Sequence, residues 1–218
     1  MKNETQEHVF LESEGDRWYE RNKVALARDG GDLAIDTIKR VLAHKRGGIG
    51  AILEVGCGNG YKLANLGEFF EAESYGVDPS AIAVSEGNHQ FGNVNLQVGT
   101  ASRLPFEDGK FNFVYFGFCL YLVDRGDLLK AVAEADRVLN PGGFLAILDF
   151  DPTKRHKREY HHHPGLFSYK TSYSDLFTGS GHYYLVAKDS FSHVQDNFSE
   201  DSNERVSISI LYKELDAY

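Results

Sequence analysis

Cysteine, proline, methionine and tryptophan are scarce in this 218-residue chain, with two, five, one and one copies respectively. Two cysteines, Cys57 and Cys119, cannot frame a disulfide scaffold and fit a reduced compartment. Positive charge is also short: 23 Lys and Arg against 32 Asp and Glu give a formal net charge of −9. Duplex nucleic acid and anionic membrane faces are gripped mainly by Lys and Arg, so this balance counts against both. Long apolar runs are missing as well. The longest, Phe111 to Val123, is broken by Asn112 and falls short of the ~20 residues that a membrane span needs. The opening MKNETQEHVFLESEGDRWYERN holds no apolar h-region of a secretory signal. A soluble, cytoplasmic protein with a small-molecule substrate is the expectation.

What is present is an ordinary globular composition, 42% apolar and 25% charged, with 13% aromatic residues that argue against disorder. Asp32 can cap a helix whose apolar positions are Leu33, Ile35, Ile38, Val41 and Leu42. From Ile49 the pattern alternates. Buried strands are expected at Ile49–Val55, Ser74–Asp78, Val94–Val98, Phe111–Gly117 and Phe144–Phe150, with helices between them, including Leu128–Leu139. Strands alternating with helices imply a parallel sheet covered on both faces. The last third changes character: His182–Ala187 (extending toward Phe191) and Arg205–Tyr212 alternate as an antiparallel hairpin, joined through Asp196-Asn197 and Glu200–Asn203. Residues 151–181 have no clear period and read as a long irregular insertion, the kind that carries function or moves. The chain thus divides into an N-terminal helical segment, 1–31, and an α/β domain, 32–218.

The sharpest motif is Glu54-Val55-Gly56-Cys57-Gly58-Asn59-Gly60, which follows a strand and opens a helix. Glycines there let the backbone turn tightly and let a ligand lie on bare main chain. The helix adds free N–H groups and the positive end of its dipole. Asp78, 18 residues past Gly60, ends the second strand, where a carboxylate can take both hydroxyls of a ribose. A dinucleotide fingerprint, G-x-G-x-x-G/A, is not met: counting from Gly56 puts Tyr61 in the last place, and counting from Gly58 puts Leu63 there.

ILEVGCGNG, then YGVDPS, then Phe111–Gly117 and the turn LNPGG before FLAIL resemble the successive motifs of the class I S-adenosylmethionine-dependent methyltransferases. The resemblance covers Gly48 to Phe150, and the terminal hairpin agrees with that family's sixth and seventh strands. It implies a Rossmann-like, seven-stranded, mostly parallel sheet with helices on both faces, and S-adenosyl-L-methionine as cofactor. It also implies that Gly56, Cys57, Gly58 and Gly60 approach the cofactor, that Glu54 helps place its amino group, and that Asp78 takes the ribose. Pro79 or Ser80 would flank the adenine, and Phe116-Gly117 would face the sulfonium. Thr100-Ala101 sits where the family often has an acid and a small residue beside the adenine. Thr replaces the acid here, leaving the Ala101 backbone and the Thr hydroxyl. The aromatics Trp18, Tyr19, Phe116, Phe118 and Tyr121 are candidates to stabilise a sulfonium, or simply core residues.

For the methyl acceptor the candidates are Asp149, Asp151, His156 and the run His161–His163, with Tyr121 beside the reacting centre. Consecutive histidines diverge and do not make a compact metal site, and no metal is expected. Lys154–Arg158 is either a solvated face or a seat for an anionic group of the acceptor. Glu14-Gly15-Asp16-Arg17-Trp18-Tyr19-Glu20-Arg21-Asn22 is similar to stretches at the front of small methyltransferases of bacterial surface-polysaccharide sugars. It implies that Tyr19, Arg21 and Asn22 close over the cofactor, with Arg21 on its carboxylate. A nucleotide- or lipid-linked sugar is then the expected acceptor. The alternatives are a protein or tRNA methyltransferase, or a non-catalytic scaffold that kept the fold.

Overall fold

The five strands expected from Ile49 onward lie in one sheet, and the central ones, around Leu53, Val114 and Leu145, are apolar on both faces, as strands covered on both sides must be. The computed structural model describes residues 5–26, 32–195 and 197–216. β1 (Ala51–Val55), β2 (Glu73–Asp78), β3 (Asn95–Val98), β4 (Phe111–Gly117) and β5 (Leu139–Phe150) run parallel in the order β3-β2-β1-β4-β5. Two antiparallel strands complete the edge, β9 (Arg205–Lys213) against β5 and β8 (Tyr183–Ser192) against β9, making seven strands. The Rossmann-like sheet with its C-terminal hairpin is as expected; the Asp196 part of the hairpin connection and the Asp29-Gly30-Gly31 end of the N-terminal segment lie outside the described residues.

Helices cover the two faces. α3 (Leu33–Leu42) is capped by Asp32, whose carboxylate accepts from the Ala34 and Ile35 N–H groups, and it buries Ile35, Ile38 and Leu42. α4 (Tyr61–Phe70), α5 (Ala81–Gln90) and α6 (Leu128–Val138) fill the crossovers. Phe70 packs edge-on against Phe113 beneath one face, and Phe111, Leu145 and Val138 fill the other.

The N-terminal segment is α1 (Gln6–Val9), running through a π-helical turn, Phe10–Glu14, into α2 (Gly15–Leu26). One element departs from the sequence reading. Residues 151–181 are not irregular: β6 (His156–Glu159) and β7 (Phe167–Lys170) form a separate two-stranded sheet, and α7 (Ser174–Thr178) comes after it. Four-residue strands as polar as HKRE are too short to show a period. The hairpin is tied to α1 by Gln6, a buried amide that accepts from the Phe167 N–H and donates to the Phe167 and Leu122 carbonyls. Among the described residues no helix is long and apolar enough to cross a membrane, and no group of three or more His, Cys, Asp or Glu could hold a metal ion.

Candidate ligand crevice

β1 has β2 on one side and β4 on the other, so the chain leaves their carboxyl ends in opposite directions and opens a crevice there. Val55-Gly56, Val77-Asp78-Pro79, Gly99–Ser102 and Gly117-Phe118-Cys119 line its floor. Phe10, Gly15 and Trp18 of the N-terminal helices and Leu122–Asp124 close it from above.

The floor is set by backbone. Gly56 has φ 75°, and a Cβ there would lie 2.6 Å from that of Cys119, so only glycine lets β1 and β4 end this close together. Asp78 binds the loop to the next helix: one oxygen accepts from the Gly58 N–H and the other from the Ser80 N–H, each at 2.8 Å. An ionised carboxylate has about four acceptor positions, so two remain for a ligand's hydroxyls. Burial raises Asp78 to about 6, opposed by those two N–H groups.

Glu54 is 2% exposed, and one of its carboxylate oxygens has no hydrogen-bond partner. Gly117 allows this, since a Cβ there would sit 2.5 Å from the other Glu54 oxygen. Burial pushes Glu54 up to about 8, with Lys62 pulling it down. A buried acceptor left without a partner is costly unless a donor meets it.

The cover is held by side chains. Asp16 accepts from the Ser80 hydroxyl (2.7 Å) and from the Ile82 N–H (3.0 Å), and so joins the cap of α5. Gly15 lies against the Pro79–Ser80 backbone, where a Cβ would be 3.1 Å from the Ser80 nitrogen. Glu7 accepts from the Thr100 hydroxyl at 2.6 Å and from the Ser102 hydroxyl at 2.9 Å. Among the described residues the lining therefore carries four carboxylates, Glu7, Asp78, Asp124 and Asp127, and no Lys, Arg or His.

The sequence-predicted residues divide into three groups. Gly56, Asp78, Pro79, Thr100 and Ala101 border the crevice. Glu54, Cys57, Gly58 and Gly60 stand behind it; Cys57 is buried against Gly76, and Leu96 lies 3.0 Å from where a Gly60 Cβ would be. The remainder point elsewhere. Phe116 is fully buried against Phe177; at the end of β4 the aromatic that borders the crevice is Phe118, at φ 66°, whose ring packs on Tyr121 and Phe150. Tyr19 donates to Glu86, and its hydroxyl is pushed up to about 12 by burial and then by that carboxylate. Arg21 is taken by the buried Glu14 and by the Tyr160 hydroxyl (3.0 Å), a pairing that leaves its guanidinium out of the crevice.

The acceptor-side residues are likewise dispersed. Asp149 is buried, accepts from the Tyr121 and Phe150 N–H groups, and is raised to about 8 by burial against those bonds. Tyr121 is buried beside it, which drives its phenol well up. Asp151 pairs with Lys188 at 2.8 Å on the outer hairpin. His161 is exposed in the β6–β7 turn, and the basic run lies partly on β6, with Lys157 over the Phe167 ring at 3.3 Å. None of these borders the crevice. Sequence reasoning missed Glu7, Phe10, Asp124 and Asp127, which sit in polar stretches that carry no motif or period.

Residues 53–147 match the model of a methyltransferase domain. The ubiquinone/menaquinone biosynthesis C-methyltransferase UbiE of Desulfotalea psychrophila is 34% identical over 119 residues, covering 52% of this chain and 48% of that protein. The demethylmenaquinone methyltransferase of Staphylococcus aureus is 37% identical over 102 residues, covering 44% and 42%. The chain thus spans about half the length of these curated relatives. Among solved structures, the Burkholderia thailandensis 1,6-didemethyltoxoflavin-N1-methyltransferase, crystallised with that compound and S-adenosylhomocysteine, superposes with TM-score 0.69 at 16% identity, over 94% of this chain and 88% of that one.

Proposed function

With a class I methyltransferase domain over residues 53–147 as the premise, we propose that the protein is an S-adenosylmethionine-dependent methyltransferase acting on a small acceptor that carries no negative charge. The observation that carries this reading is the sign of the crevice: among the described residues, four carboxylates line it, Lys130 offsets one of them, Asp127, from outside the lining, and no cationic side chain borders it. Such a site attracts a cationic ligand and repels a pyrophosphate. When bound, the cofactor supplies a methyl group on a positively charged sulfur.

The chain's own residues then divide the work. Asp78 holds the ribose hydroxyls with its two remaining acceptor positions. Glu54 receives the ammonium on its unpartnered oxygen. Gly56 and Gly117 admit the ligand against bare backbone, and Phe10, Trp18, Phe118, Leu122 and Val123 give the mouth an apolar wall that excludes water. Among the described residues the lining offers no histidine or lysine base. That favours an acceptor reacting through an uncharged atom such as a neutral amine, with alignment carrying most of the catalysis.

A nucleotide-linked sugar, the acceptor expected from the N-terminal stretch, fits this crevice poorly, because its phosphates would face carboxylates and the basic run lies outside. Relatives named for methylation in quinone biosynthesis, and a neighbour crystallised with 1,6-didemethyltoxoflavin, accord with an uncharged ring compound. The test is thermal unfolding with S-adenosylmethionine, S-adenosylhomocysteine and NAD, followed by labelled-methyl transfer across phenols, quinols, heterocycles, sugar nucleotides, protein and tRNA. Stabilisation is expected from the first two ligands only, about 2.7 kcal/mol at a hundredfold excess over Kd, with label in an uncharged ring. Stabilisation by NAD alone, or label in sugar nucleotide, protein or RNA, overturns the reading.

A further inference from the structure

We infer that Glu7, carried by the N-terminal helix, is the hydrogen-bond acceptor for the exocyclic amine of the cofactor's adenine. The inference rests on the proposed cofactor and adds the residue that distinguishes adenine from other bases. A nucleoside whose ribose sits on Asp78 has two arms. The sulfur arm leads to the ammonium, which belongs beside Glu54, behind Gly56 and Gly117. The base must therefore extend the other way, along Gly99–Ser102. That direction is fixed by the sheet, because Asp78 pairs with Val98 in register and the Gly99 N–H donates to the Asp78 carbonyl at 3.0 Å.

At the end of that path the side chains of the loop are hydroxyls, Thr100 and Ser102, and both donate to Glu7. The Thr100 proton goes to one Glu7 oxygen. The Ser102 proton is shared between both, at 2.9 Å each, so the second oxygen keeps acceptor capacity. Glu7 borders the crevice together with Thr100, Ala101 and Ser102. Its position is set at three points: the Gln6 amide beside it is locked to Leu122 and Phe167, and its own N–H donates to Asp124. A carboxylate fixed at the rim of a nucleoside site accepts from an amine and opposes a carbonyl. The base is thereby read by a residue of the cover, and adenine binding and docking of α1 become one event.

The test compares the Kd of S-adenosylhomocysteine with that of S-inosylhomocysteine, which bears a carbonyl in place of the amine, for the wild type, Glu7→Ala and the isosteric Glu7→Gln. Wild type is expected to prefer the adenosyl ligand by at least ~30-fold, as sites built for a donor reject its carbonyl analogue. Both variants should bring the ratio to within ~3-fold, because Ala removes the acceptor and Gln can turn its amide N–H₂ to the carbonyl. A purely structural role for Glu7 would weaken both ligands together and leave the ratio unmoved. An unchanged ratio in both variants, with tight adenosyl binding by wild type, overturns this inference and leaves the cofactor reading standing. Failure of wild type to bind S-adenosylhomocysteine at all overturns the cofactor reading itself.

Discussion

The floor and the cover of the crevice are built by different means. On the floor, main chain does the positioning: strand ends brought together by Gly56, and a carboxylate, Asp78, held by two backbone N–H groups. On the cover, side chains reach across long stretches of sequence. Gln6 bonds residues 116 and 161 positions away, Asp16 bonds Ser80, and Tyr160 joins Glu14 and Arg21. A floor of this kind holds a constant ligand in a fixed pose, whereas a cover of this kind can vary its side chains without disturbing the sheet.

That contrast is open to measurement. The largest effect is expected on the floor: Asp78→Ala should weaken S-adenosylhomocysteine binding by roughly a hundredfold or more, since two hydrogen bonds to a charged group are worth about 1.5–3 kcal/mol each. Calorimetric titration checks it, and a change below tenfold would remove Asp78 from the ribose site. Next in size is a pH effect. Glu54 and Asp149 reach about 8 and Asp78 about 6, all above the ordinary carboxylate range. Folded-state values that are raised mean that the native protein holds protons the unfolded chain has released. Stability of the free protein should therefore fall as pH rises from about 4 to 8, the reverse of an ion-paired carboxylate. Urea midpoints across that range test this. Ligand affinity should rise over pH 6 to 8 by up to about tenfold per unit as the ammonium draws Glu54 into its charged form, and Glu54→Gln should flatten the rise.

Smaller effects belong to the cover. Gln6→Ala leaves half-buried backbone groups of Phe167 and Leu122 without their partner and should cost about 1–3 kcal/mol. Hydrogen exchange should quicken in residues 6–26 and 156–170 while β1 and β4 stay protected; uniform loosening would mean that cover and floor are one unit. Smallest of all, Asp151→Asn and His161→Ala should leave turnover within about twofold, and loss of the Lys188 pair should change stability by less than ~1 kcal/mol. A tenfold drop in turnover would return either residue to the chemistry.

The same division explains what could be read from the sequence. The strand before Gly56, the glycine loop and the strand ending at Asp78 each leave a compact pattern of apolar and glycine residues, so the sequence reveals them although their partners, Cys119 and Gly58, are distant in the chain. The aromatic at the end of β4 does not: that strand is buried on both faces, so its alternation cannot say which ring meets the crevice. The turn to φ 66° that presents Phe118 rather than Phe116 leaves no mark in composition. The β6–β7 hairpin hides in two four-residue polar strands, and its pairing with α1 rests on a single glutamine. Arg21 reads as a ligand for a carboxylate and is one, but the carboxylate belongs to Glu14.

The carboxylates of the crevice lining also bear on how the site empties after each turnover. Under the proposed reaction the donor enters with a charge on sulfur and its remnant leaves without it, so Coulomb attraction distinguishes reactant from spent product. The walls thus grip the ligand before reaction and relax that grip afterward, a bias toward clearing the site that added salt would blunt for the donor far more than for its remnant.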